Sequence, residues 1–170
     1  MILSLLRKPK ANPAAALYSA IVAAARQPGW FREAGVPDTV DGRYCVLATL
    51  LAVADLRLAA GESAAQALAP RLTEMFIDDM DAQLCQSGVG DPTLGKTVRK
   101  MVAGVSARIE RWRGLAGEGG GDWLPALRFG LYRDQEPSAA QAAAAQALIL
   151  QWRDRLDRAS DAHLASGSLA

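Results

Sequence analysis

Apolar positions recur along this chain at spacings of three and four residues, not at alternate residues, and that period predicts helices. Asn12-Pro13 has the form of a cap and first-turn pair, and after it Leu17, Ile21 and Ala24 or Ala25 mark an inner face that runs to about Arg26. Pro28-Gly29 stops it. Residues 28–41 carry two prolines and two glycines, so they predict an ordered loop with one helical turn, pinned by Trp30 and Phe31. From about Val40 to Ala60, Leu47, Leu50, Leu51, Ala54 and Leu58 fall in register, and the middle of the segment is apolar nearly all round. Such a helix is central, covered on several sides.

Ser63-Ala-Ala-Gln66 reads as a capping box that opens a third helix, which Pro70 kinks or divides. Leu72, Met75, Phe76, Met80 and Leu84 then carry its stripe. The clearest two-faced pattern runs from Pro92 to about Arg113: Val98, Met101, Val102, Val105, Ile109 and Trp112 share one side, and Lys96, Arg99, Lys100 and Arg111 the other. Asp122 caps a short helix from Trp123 to Tyr132, and Ser138 a final one to about Ala162. The expectation is an all-α fold of about six helices in a single domain over residues 13–165, between a flexible segment 1–12 and a disordered tail 166–170. No strand or internal repeat is expected.

Composition supports that class. Alanine alone fills 34 of 170 positions while β-branched residues are few, a bias that lowers the entropic cost of helix. The formal net charge of +1 gives no global attraction to nucleic acid or anionic lipid, so no specific nucleic-acid binding is expected and any electrostatic partner must meet a local patch. Cys45 and Cys85 stand apart without a C-x-x-C pair or a histidine cluster, which argues against a metal site or disulfide and for two small buried hydrophobes. The only histidine, His163, falls in a C-terminal stretch expected to fray, so the usual general base for a catalytic triad is missing. The basic residues Arg7, Lys8 and Lys10 follow the apolar Met1–Leu6 instead of preceding it, unlike a signal peptide. The uncharged run Tyr44–Ala54 is well short of the roughly 20 residues that span a bilayer. A cytoplasmic protein, at most peripheral at a membrane, is expected.

Two motifs suggest chemistry. Gly90-Asp-Pro-Thr-Leu-Gly-Lys-Thr97 matches the phosphate-loop pattern letter for letter, but that pattern needs a strand before it. Here an amphipathic helix precedes it. Gly88 reads as the residue past that helix's end and Asp91-Pro92 as the cap and first turn of the next, so Gly88, Gly90, Asp91 and Gly95 form a helix-loop-helix elbow; a nucleotide-binding switch remains the alternative. Asp78, Asp79 and Asp81, with Glu74 a turn earlier, are similar to the acidic helices that hold magnesium-diphosphate in isoprenoid enzymes. No second acidic helix completes a cage, and a solvated acidic face is the plainer reading. The basic face with Lys96, Arg99 and Lys100 is either solvated or a docking surface.

Four ordered blocks resemble the ubiquinol-cytochrome c chaperone family: residues 17–28, from Leu17-Tyr18 to Gln27-Pro28; Gly35-Val36-Pro37-Asp38-Thr39 with Asp41-Gly42-Arg43; Phe76 with Asp78-Asp79-Met80-Asp81; and Gly88-Val89-Gly90-Asp91 with Gly95-Lys96 and Val98-Arg99-Lys100-Met101. The resemblance covers about residues 17 to 113 and departs at Tyr44-Cys45, at Ala48-Thr49, and at Ser106-Ala107-Arg108, where the family carries an aromatic residue and glycine before the arginine. It implies a non-enzymatic assembly factor without cofactor that holds newly made cytochrome b before it joins the reductase complex, with a ribosome or small co-chaperone as further partners and, in bacteria, a place at the cytoplasmic side of the inner membrane. The expected binding surface joins Tyr18, Trp30, Phe31 and Arg43 at a groove to Asp78, Asp79 and Asp81, the elbow Gly88, Gly90, Asp91 and Gly95, and the basic residues Lys96, Arg99 and Lys100.

Overall fold

The computed structural model describes residues 12–86, 91–115, 121–166 and 169, with the side chains of 91–93 left aside. Among these, the chain forms α1 (Ala15–Ala25), α2 (Gly29–Arg32), α3 (Val40–Ala59), α4 (Ser63–Gln66), α5 (Leu68–Gln86), α6 (Asp91–Arg113), α7 (Leu124–Leu131), α8 (Ala139–Arg158) and α9 (Asp161–Ser166). The six long ones are those the periodicity predicts, and the fold is all-α. No strand occurs among the described residues.

α3 is the axis. Its residues from Cys45 to Ala54 are buried without a break, because α1, α5, α6, α7 and α8 all pack on it. Thr39 starts it with an extended backbone and a hydroxyl that accepts from the Gly42 amide. Leu17 and Ile21 of α1, Leu72 and Phe76 of α5, Ile149 and Leu156 of α8 complete the core around Leu50 and Leu58.

Three local expectations are corrected. Ser63 does not cap: Glu62 occupies that position without a side-chain bond, and the Gln66 amide donates to the Gly61 carbonyl instead of closing a box. The missing acceptor comes from far away, since the Asp161 carboxylate takes the Glu62 N–H at 2.8 Å. The last long helix ends at Arg158, not near Ala162, because Ala159 turns extended and α9 folds back with Leu164 fully buried among α1 and α4. His163 therefore sits on a packed helix. Finally, Cys45 is buried as expected, whereas Cys85 is exposed on the outer side of α5. The box at Ser138 forms as predicted, Ser138 accepting from the Gln141 amide and Gln141 reaching back to the Ser138 N–H.

Candidate functional site

The neighbours of α3 part at its N-terminal half. Between the end of α1 with α2 on one side and the end of α5 with Met101 of α6 on the other lies a groove of about 660 Å³. Val22, Phe31, Leu47, Met80 and Met101 make its floor apolar.

Each wall is held by a specific bond. Pro28 opens the single turn of α2, whose Trp30 is 2% exposed and donates its indole N–H to the Ala24 carbonyl at 2.9 Å. With Trp30 locked inward, its neighbour Phe31 lines the groove. The Tyr44 hydroxyl donates to the Met101 carbonyl at 2.9 Å and ties α3 to α6. On the other wall the Tyr18 hydroxyl donates to Asp79 at 2.8 Å and ties α1 to α5. Burial, and then the Asp79 carboxylate beside it, push the Tyr18 phenol far up, so it stays a donor at any physiological pH. Asp79 also accepts from Gln83 at 2.9 Å. Its carboxylate is thus satisfied by neutral donors.

The rim is polar and unevenly paired. Arg43 donates to Asp38 at 2.7 Å, which holds the Asp38 carboxyl below its ordinary range, and the Arg43 guanidinium lies over the Phe31 ring. Arg26 and Arg32 are exposed at the rim and make no ion pair among the described residues. Val40, the first residue of α3, is 72% exposed beside them, so the rim offers apolar surface to solvent as well as charge.

Of the residues expected at a binding surface, Tyr18, Phe31, Arg43 and Asp79 come together here, Tyr18 from behind the wall because it is 5% exposed. Trp30 belongs to the core. Asp78 and Asp81 are exposed on α5 outside the groove lining, and Gly95, Lys96, Arg99 and Lys100 are exposed on α6, also outside it. Gly88 and Gly90 lie outside the described residues, as does the side chain of Asp91. α6 begins at Asp91, so Gly95, Lys96 and Thr97 already stand inside a helix where the phosphate-loop pattern requires a loop before one. Among the described residues no group of three His, Cys, Asp or Glu side chains is placed to hold a metal ion.

Sequence reasoning missed Arg26, Arg32 and Val40 at the rim, and it missed the setting of Arg108. That guanidinium is 4% exposed. It donates to the Gly130 carbonyl at 2.8 Å and the Gly104 carbonyl at 2.9 Å, approaches the Thr49 hydroxyl at 3.3 Å, and lies between the Tyr44 and Phe129 rings. No carboxylate faces it among the described ion pairs. It fastens α3, α6 and α7 directly behind the groove. Burial raises the Tyr44 phenol and the Cys45 thiol, and Arg108 pulls both the other way. The signal was present: position 108 is three after Val105 and four before Trp112, on the stripe that packs.

Comparison with known proteins agrees with this architecture. The model of the ubiquinol-cytochrome C chaperone family matches residues 32–170. Among solved structures, the Cbp3 homolog from Brucella abortus is similar with a TM-score of 0.76 at 30% identity, over 93% of this chain and 87% of that one. A search of curated proteins finds no match. The family match starts at Arg32, so Val22, Arg26 and Phe31 of the groove precede it.

Proposed function

From the premise that the chain belongs to the ubiquinol-cytochrome C chaperone family, we propose that it holds unassembled cytochrome b for the reductase complex and seats it in the groove over α3. The observation that carries this reading is an apolar floor of about 660 Å³ left open between four helices, under a rim that exposes Val40. A protein that shelters membrane segments needs apolar surface for them and charge for their polar flanks, and it needs no reacting side chain. The basic residues Lys96, Arg99 and Lys100 and the acidic Asp78 and Asp81 flank the site as steering charges, at the cytoplasmic face of the membrane.

A photo-crosslinking residue at Phe31, inside the groove, and another at Gln151, exposed on α8, test the assignment in membranes of the native organism. Cytochrome b recovered from the first probe and not from the second is the expected result. Equal recovery from both, or none from Phe31, refutes the groove. Charge reversal at Lys96 and Lys100 should lower the yield from the Phe31 probe without changing the fold, and an unchanged yield removes those residues from the docking surface.

A further inference from the structure

We infer that the occupant of this groove is an apolar helical segment carrying a carboxylate at its edge, held by Arg26 and Arg32; this rests on the groove being the client site. The inference comes from which charges are already spoken for. Five charged side chains line the groove: Arg26, Arg32, Arg43, Asp38 and Asp79. Asp38 is taken by Arg43 at 2.7 Å. Asp79 accepts from Tyr18 at 2.8 Å and from Gln83 at 2.9 Å. The two acids are therefore occupied, and the remaining uncommitted charges are both arginines on the same α1–α2 wall, one at the end of α1 and one at the end of α2.

The floor beneath them is hydrocarbon, so a carboxylate brought to that wall meets guanidinium groups at the border of a low-dielectric surface, where a paired charge gains more than in open water. A basic segment meets the reverse on this wall, two like charges, and the one lining carboxylate without a cation among the described residues, Asp79 across the groove, already accepts from Tyr18 and Gln83. Charge on the opposite wall decides between a peptide and a lipid surface. The Asp79 carboxylate there is met by neutral donors and, among the described residues, no cation, which suits a segment bearing an acid on one side only and opposes a sheet of anionic headgroups that presents negative charge to both walls. A helix suits the volume, since a groove of about 660 Å³ takes a few apolar side chains from one face while the acid, three or four residues away on that face's edge, reaches the rim.

The test uses three labelled helical peptides that share one apolar stripe and differ at a single edge position, Glu, Gln or Lys, titrated by fluorescence anisotropy against the full chain and against the double variant Arg26→Glu/Arg32→Glu. Both arginines are exposed, so the variant should melt like the parent. The Glu peptide should bind the parent about two- to fivefold tighter than the Gln peptide, with the advantage shrinking as salt rises. In the double variant the order should invert, with the Lys peptide tightest. If all three bind the parent alike and Phe31→Asp abolishes them all, the groove stands as a binding site and the carboxylate inference is overturned. If Phe31→Asp changes nothing, the groove reading itself falls. Anionic vesicles that bind the parent and lose it in the double variant, while the peptides show no preference, overturn the inference in favour of a lipid surface.

Discussion

Arg108 makes an unusual prediction: replacing it by methionine should harm the protein less than replacing it by lysine. The guanidinium contributes two short charge-assisted bonds, to Gly130 and Gly104, each worth about 1.5–3 kcal/mol. Against them stands the cost of holding a full charge at 4% exposure with only neutral acceptors, which is several kcal/mol. The two nearly offset each other. Methionine removes both at once, orphans little, and places a polarizable thioether between the Tyr44 and Phe129 rings. The Gly130 carbonyl keeps the Thr49 hydroxyl at 3.3 Å, and the Gly104 carbonyl keeps its partner within α6. The net change for Arg108→Met should fall within about 1.5 kcal/mol of the parent.

Lysine keeps the charge and gives up the planar fork. A compact ammonium cannot reach Gly104, Gly130 and Thr49 together, and it is more strongly hydrated than a guanidinium, so Arg108→Lys should cost about 3–5 kcal/mol. Urea unfolding followed by circular dichroism measures both, with a common slope confirming that the unfolded states are comparable. A lysine variant within about 1 kcal/mol of the parent, beside a methionine variant that loses more than about 4 kcal/mol, would refute the reasoning, since it would mean that a counter-ion compensates the charge.

Removing the hydroxyl in Tyr18→Phe should cost about 1–2 kcal/mol in the same urea assay, because the bond to the Asp79 carboxylate is charge-assisted and half-screened; no loss would mean that α1 and α5 are held by apolar contact alone. Gly42→Ala should be among the most damaging single changes, since a β-carbon there is driven into the Pro37 carbonyl; a variant that melts like the parent contradicts it. The Asp161 carboxyl is held below its ordinary 3.8, first by the Glu62 N–H and then by the Arg57 guanidinium, so the stability it lends α9 is present above that value and fades as the pH falls through the lower folded one. The protection factor of the Leu164 amide, its intrinsic exchange rate over the observed one at the same pH, should therefore fall on acidification below pH 3.8 in the parent, while in Asp161→Asn it should already be low at neutral pH and change little with acid; matching profiles of protection against pH would rule out the carboxylate as the anchor.

What was legible in the chain was whatever repeats along a helix or closes within a few residues. The stripe Leu72, Met75, Phe76, Met80 and Leu84 lies inward as read, and the Ser138–Gln141 box closes because both its partners are local. Features made by distant segments were not legible. The start of α4 depends on a carboxylate 99 residues away, so the local motif at Ser63 pointed to the wrong cap. The packing of α9 depends on Leu164 finding a pocket between α1 and α4. Of the site, Arg43 and Asp79 stand in the blocks that carry the family resemblance and Phe31 came from the aromatic pair of the loop; such readings see residues but not cavities. Arg26, Arg32 and Val40 have no periodic signature, since a groove rim is defined by the neighbour that is missing.

Why the groove stays open can be argued from the residues around it. Exposed apolar surface is unfavourable by roughly 25 cal/mol per Å², so the uncovered start of the central helix at Val40 persists only if the chain cannot cover it. The element placed to do so is α2, and it is four residues long. Pro28 begins it, and six residues after its first turn opens the chain is bent out of helix by Gly35, which takes the left-handed backbone at φ +67 that other residues rarely adopt. Any side chain there would also collide with Gln141, whose amide is already engaged in capping α8. Pro37 follows and disfavours helix in the residue before it. Lengthening α2 by another two turns over Val40 and Leu47 would therefore cost the cap of α8 and the turn that delivers Thr39 to the start of α3. The opening is built into the same residues that hold the fold together: the Gly35 that turns the chain away from α3 also leaves room for the Gln141 side chain that caps α8.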